Sequence, residues 1–272
     1  MNDTSLHPLD RATRLRQNSD GSLTGHTDPS YAHAVGPFGC ITAATMLNAA
    51  LSHPAHLGDP VALTVNCAGP IADGEFRIDA VAVRTNRSTQ HWSMSLYQGD
   101  TISTTATAVF AVRRDTWTST EAVRPEVPPA TALQRLSAVG VSAWIQNYDL
   151  RYVEGGLSKG TKSMQKPDSL SIQWIRDDPP RSMGFLSLTS ICYAFFPRTY
   201  LRRPERVATG TVSLTTYFHA NAPTLATQGA RPVLGIARAF HFGLGYHDQS
   251  AEIWSDDGKM LATSHQIVHF RE

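Results

Sequence analysis

GPFGCITAATMLNAALSHP, residues 36–54, decides the fold. Ile41, Ala44, Leu47 and Leu51 recur at helical spacing, and the run stops at His53-Pro54, a helix-stop signal. The spacing predicts one helix over 38–51. Asn48 is its one strongly polar side chain. The alanines and the lack of charge leave no face suited to water, so the helix is predicted to be buried on nearly all sides.

Strand patterns surround it. Residues 22–34 carry a few β-leaning residues and suit a first strand, behind a polar and loosely ordered stretch 1–20. PVALTVNCAGP (60–70), EFRIDAVAVRTN (75–86) and HWSMSLYQGDT (91–101) follow the helix. Trp92, Met94 and Leu96 alternate with polar partners, Gln98-Gly99-Asp100 signals a hairpin, and TISTTATAVFAVRR (101–114) is the return strand. The first half therefore reads as strand, buried helix and a meander of four strands.

Residues 116–140 carry Pro125, Pro128 and Pro129 with little periodicity, and are assigned as a linker between units at 20–115 and 141–272. Beyond it the pattern repeats. Residues 144–153 and 170–176 suit strands around a polar loop, and GFLSLTSICYAFFP (184–197) reads as a second buried helix stopped by Pro197. TGTVSLTTYFH (209–219), RPVLGIARAFHFGLGY (231–246), DQSAEIWSDDG (248–258) and MLATSHQIVHF (260–270) complete the set, with Asp257-Gly258 as a turn matching Gly99-Asp100. This is an internal duplication with a period far too long for a solenoid.

Composition narrows the function classes. With 24 basic and 23 acidic residues the net charge is +1, and no basic block suggests nucleic acid. No apolar run is long enough for a membrane span, and the N-terminus lacks a signal-peptide core, so a cytoplasmic address is expected. Cys40, Cys67 and Cys192 form no C-x-x-C pair, so buried thiols are expected and no metal site. His91, His219, His241, His247, His265 and His269 form no metal-binding helix motif, and there is no nucleophile elbow, phosphate loop or dinucleotide fingerprint. No cofactor is implied.

GPFGCITAATMLNAA, PVALTVNCAGPI and VRTNRSTQHWSMSLYQGD resemble the N-terminal half of the TesB-type (type II) acyl-CoA thioesterases, and VSLTTYFHANAP with GLGYHDQSAEIWSDDGKMLATSHQ resembles their C-terminal half. The resemblance spans about residues 20–270. It implies an α+β double hotdog, two tandem units each made of an antiparallel sheet wrapped round a central helix. It also implies an acyl-CoA or other acyl-thioester substrate, and a homo-oligomer formed by pairing of sheets.

The family's enzymes attack the thioester with a water held by an Asp, a Thr and a Gln of the second half, while N–H groups at a helix start hold the oxyanion. Carried over by position, the glutamine is Gln266, whose counterpart in the first half is Ala108. An amide can accept from a water and donate to a carbonyl at once. The threonine is Thr211, with Thr209 and Ser213 on the same face by period two. The aspartate is replaced: its place falls on Tyr193, or on Cys192 with a slip of one residue. Gly39 and Gly184, at the two helix starts, are the expected substrate-binding positions. Lys159, Lys162 and Lys166 in the loop 154–169 are either solvated or in reach of a CoA phosphate. Three functions are compatible: a thioesterase acting by water attack, an acyl-thioester- or lipid-binding protein that has lost catalysis with its Asp, and a hotdog dehydratase or hydratase. The last lacks its Asp/His pair on either helix.

Overall fold

The computed structural model describes residues 6–33, 35–137, 142–157, 165–203, 205 and 207–271. In chain order the strands are β1 (Arg16–Gln17), β2 (Leu23–His26), β3 (Asp59–Cys67), β4 (Glu75–Thr85), β5 (Thr89–Gln98), β6 (Thr101–Ala111), β7 (Tyr148–Glu154), β8 (Ser171–Asp177), β9 (Ala208–Phe218), β10 (Val233–Arg238), β11 (Phe242–Gly243), β12 (Tyr246–Trp254) and β13 (Met260–Arg271). The helices are α1 (Pro8–Ala12), α2 (Gly39–Leu51), α3 (Phe185–Tyr193), α4 (Thr199–Arg202) and α5 (Ala222–Gln228).

The strands form a single antiparallel sheet in the order β1-β2-β4-β5-β6-β3-β9-β13-β12-β10-β8-β7, with β11 added to β12. The β3–β9 pair joins the halves, and there the hydroxyls of Thr64 and Thr215 meet at 3.0 Å. The sheet curls round α2 and α3, which pack on each other, as the double hotdog requires. Cys40, Ala43, Ala44, Met46, Leu47, Ala49 and Ala50 of α2 are fully buried. Burying one Leu or Met side chain contributes roughly 1.5–3 kcal/mol. Asn48 is satisfied by donating to Thr13 O at 2.8 Å.

Several local expectations are corrected. The first half is not a four-strand meander: β4, β5 and β6 form the meander, and β3 crosses over to pair with the far side of β6, because β2 occupies the free edge of β4. Residues 6–20 are not loose. They contain α1 and β1, with Leu9 fully buried. The stretch 231–246 is broken into β10 and β11, and α4 and α5 are additional elements.

The second helix ends at Tyr193, short of Pro197. Ala194 leaves helical geometry at ψ 47°, and the buried amide of Gln173 takes its carbonyl at 2.8 Å. A proline also disfavours helix in the residue before it. Over the described part of the linker, the chain lies on the outer face of the second half. Val127, Ala130 and Leu133 pack on Ile172, Trp174, Leu234 and Trp254, and Trp174 Nε1 donates to Pro128 O at 2.9 Å.

Candidate functional site

The site is built where the end of α3 meets β9 and β13. Along β13, Ser264, Gln266 and Val268 face the core while His265 and Ile267 face out. Along β9, Leu214, Thr216 and Phe218 face the core. Simple alternation would then turn Thr211 outward. Instead the register slips: Ile267 pairs with Ser213, but Val268 pairs with Thr211, leaving Val212 as the extra residue of a bulge. A bulge re-aims the side chains beyond it. Thr211 thereby turns inward, and its hydroxyl donates to Gln266 Oε1 at 3.3 Å. Ser213 is left on the opposite face, donating to Asn66 Oδ1 at 2.9 Å, so the expectation that Ser213 shares the face of Thr211 is corrected. Thr209 approaches the Tyr200 hydroxyl at 3.4 Å.

Gln266 is 5% exposed, and its Nε2 has no hydrogen-bond partner among the described residues. Buried polar atoms are nearly always satisfied, so an orphaned donor beside a held acceptor marks a place for a further group. The hydroxyl of Tyr193 is likewise buried without a partner. It therefore bonds neither Thr211 nor Gln266. Its ring lies against the start of α2, with Cδ1 4.0 Å from where a Cβ on Gly39 would sit. Phe38, the residue preceding that helix, supplies no side-chain cap, which leaves the first turn's donors without one.

Neither residue expected at the place of the family Asp is a base at neutral pH. Burial, and then the neighbouring thiols, hold the Tyr193 phenol well above its ordinary value. Burial pushes the Cys192 thiol up to about 12, against the hydroxyls of Thr216 and Ser264. A thiol kept protonated in this way is neither nucleophile nor base. Cys40 is raised to about 12 by the same cause.

Gly184 is not brought to this place. It precedes the first turn of α3, nine residues from Tyr193 and so about 13 Å along the helix axis. Its backbone is extended, and a Cβ there would meet nothing within 4 Å. Lys159 and Lys162 lie outside the described residues, and Lys166 Nζ is held by Gly156 O at 3.1 Å. A cavity of about 180 Å³ lies instead beside the far end of α2, lined by Leu15, Leu23, Ala49, His53 and Ala80 among others.

Two buried polar residues, one beside Gln266 and one bonded to that neighbour, were not singled out from sequence. Gln249 sits directly opposite Gln266 on β12 and is 2% exposed. Arg198 is 1% exposed and donates from Nε to Gln249 Oε1 at 3.0 Å. The alternation of Gln249, Ala251 and Ile253 was a signal for Gln249. No local pattern marked Arg198, a charge placed just after an apolar helix.

The comparisons with known proteins bear on the family and the fold. The model of the acyl-CoA thioesterase C-terminal domain matches residues 119–270, and that of the N-terminal domain matches residues 27–111. No curated protein matches the chain in sequence. Among solved structures, a conserved protein of unknown function with a hot dog fold from Alicyclobacillus acidocaldarius is 44% identical, with a TM-score of 0.92 over 98% of this chain and 99% of that one. A tesB protein of Mycobacterium avium subs paratuberculosis superposes with a TM-score of 0.79 at 17% identity, over 99% of this chain and 100% of that one. The acyl-CoA thioesterase II of Mycobacterium marinum gives 0.73 at 14% identity, over 97% and 98%. The second half carries the candidate site on the scaffold the sequence anticipates, and the chain belongs to the acyl-CoA thioesterase family, with a double hotdog fold.

Proposed function

We propose that the protein hydrolyses an acyl-CoA thioester by direct attack of water. The observation that carries this is the Val212 bulge, which turns Thr211 onto Gln266 and leaves Gln266 Nε2 orphaned beside it. The Thr211 proton is committed to Gln266 Oε1, so a lone pair of the hydroxyl is free to accept from water while Gln266 Nε2 donates to the water oxygen. That oxygen attacks the carbonyl carbon, and the carbonyl electron pair moves onto oxygen. The first-turn N–H groups at Gly39 would receive this oxyanion. Collapse breaks the C–S bond, a water proton passes to the leaving sulfur, and the products are a CoA thiol and an acid that ionises to its carboxylate. Tyr193 takes part as a hydrogen-bond donor, not a base.

A second reading is favoured by the chemistry of Tyr193 and Cys192. With both held protonated, the site has no base of the family kind, and the chain would bind acyl thioesters without turning them over. Thiol release from a panel of acyl-CoAs of graded length separates the two. Turnover that Gln266→Ala lowers about a hundredfold supports hydrolysis; tight binding without release supports the second reading, and turnover indifferent to Gln266→Ala breaks the site assignment. A homo-oligomer accompanies either reading, on the family resemblance.

A further inference from the structure

Arg198 has an unusual environment. It is 1% exposed, yet among the described residues no carboxylate lies within ion-pair distance of it. Its acceptors are all neutral. Nε donates to Phe196 O at 2.9 Å and to Gln249 Oε1 at 3.0 Å, Nη1 to Ser169 O at 3.2 Å and Ser171 Oγ at 2.7 Å, and Nη2 to Phe196 O. Burial lowers its pKa only to about 10, so it stays charged at neutral pH. The titratable neighbours do not offset it: burial holds Tyr152 neutral, and burial together with Arg198 itself lowers His247. A buried charge is costly unless something of opposite sign meets it.

The charge lies one side chain from the candidate site, since Gln249 faces Gln266 across the β12–β13 pair. Such cross-strand neighbours have Cβ atoms about 5 Å apart. We infer that Arg198 is the built-in counter-charge of an anion that only the ligand brings. It acts through Gln249 and the low dielectric of the site, as a positioning and electrostatic residue and not as one that touches the reacting atoms. The inference rests on the hydrolase reading for the identity of that anion: the oxyanion that forms on attack, and the carboxylate of the released acid.

Gln249→Glu tests this without disturbing the arginine. It places a carboxylate of nearly the same shape against Arg198 Nε and neutralises the charge in situ. Gln249→Met removes the hydrogen bond and keeps the charge. Two readouts are taken on each protein: thiol release from acyl-CoA, and binding of butanoate, octanoate and dodecanoate against their primary amides. The expected result is a melting temperature for Gln249→Glu at or above the parent's, with kcat lowered about tenfold relative to Gln249→Met. The parent should prefer carboxylate over amide, and Gln249→Glu should lose that preference. A parent that binds carboxylate and amide alike overturns the inference, as does a Gln249→Met protein as impaired as Gln249→Glu. A parent that shows the preference, loses it in Gln249→Glu, yet releases no thiol supports the anion subsite and breaks the hydrolase reading alone.

Discussion

The two halves can be compared residue by residue, because the same hydrogen bonds recur in each. Ala68 and Gly69 both donate to Ser103 O, and His219 and Ala220 both donate to Leu261 O. Counting from these anchors, Ala108 pairs with Leu63 where Gln266 pairs with Leu214, which supports the correspondence of Ala108 with Gln266. The bulge recurs too, at Val61 between Pro60 and Ala62. The first half thus has Pro60, Ala108 and Trp92 where the second has Thr211, Gln266 and Gln249. A residue beyond each helix joins the comparison: His53, two residues past α2, packs edge-on against Trp92 at 5.0 Å, where Arg198, five residues past α3, bonds Gln249. One scaffold therefore carries a row of apolar packing in one copy and a row of hydrogen-bonding groups in the other. The backbone geometry is common to both halves; the inward Thr211, Gln266 and Gln249 are in the second half only.

That difference can be broken at its strongest point in the first half. Trp92 is 1% exposed and fills the place of a polar residue, so Trp92→Ala is expected to cost about 3–5 kcal/mol in urea unfolding. Residual activity per folded molecule should stay intact. A large catalytic loss without a stability loss would mean that the apolar row also serves the reaction.

In the second half, Gln266→Ala makes the position resemble Ala108. It is expected to lower kcat/KM for acyl-CoA about a hundredfold, measured by thiol release, with little change in unfolding midpoint. Thr211→Val keeps the shape and removes the hydroxyl. About a tenfold loss is expected, since Gln266 would retain its place but lose the donor that fixes its amide. An equal loss in both variants would point to one shared water contact.

A smaller effect should appear in stability against pH. Asp177, at the end of β8, is 3% exposed and accepts the Ser187 hydroxyl, and burial raises its pKa above the ordinary carboxyl value. Its protonated form is the one favoured in the fold. That contribution is present in acid, below the ordinary value near about 3.9, and is lost as pH rises through the raised folded value. Asp177→Asn is expected to flatten this fall and to raise the neutral-pH melting temperature by a few degrees. A variant whose pH profile matches the parent's would show the carboxyl to be compensated by Arg181, which is near enough to lower its pKa.

The sequence by itself determined the elements whose causes are local. The charge-free run from Gly39 to Leu51 admits only burial, and Gly99 and Gly258 take the positive φ that their hairpin turns need. The order of those elements, repeated, was enough for the internal duplication, and the family resemblance carried by their residues added the double hotdog and Gln266. Only the tertiary structure decided what depends on partners distant in the chain. The Val212 bulge is invisible to a period of two, because it exists only in the register between β9 and β13. The end of α3 at Tyr193 depends on Gln173 capturing a carbonyl. Arg198 reads as a surface charge until Ser171 and Gln249, from two other strands, close over it. Periodicity reports which way a side chain points within its own element; desolvation and register are set by what the rest of the chain brings against it.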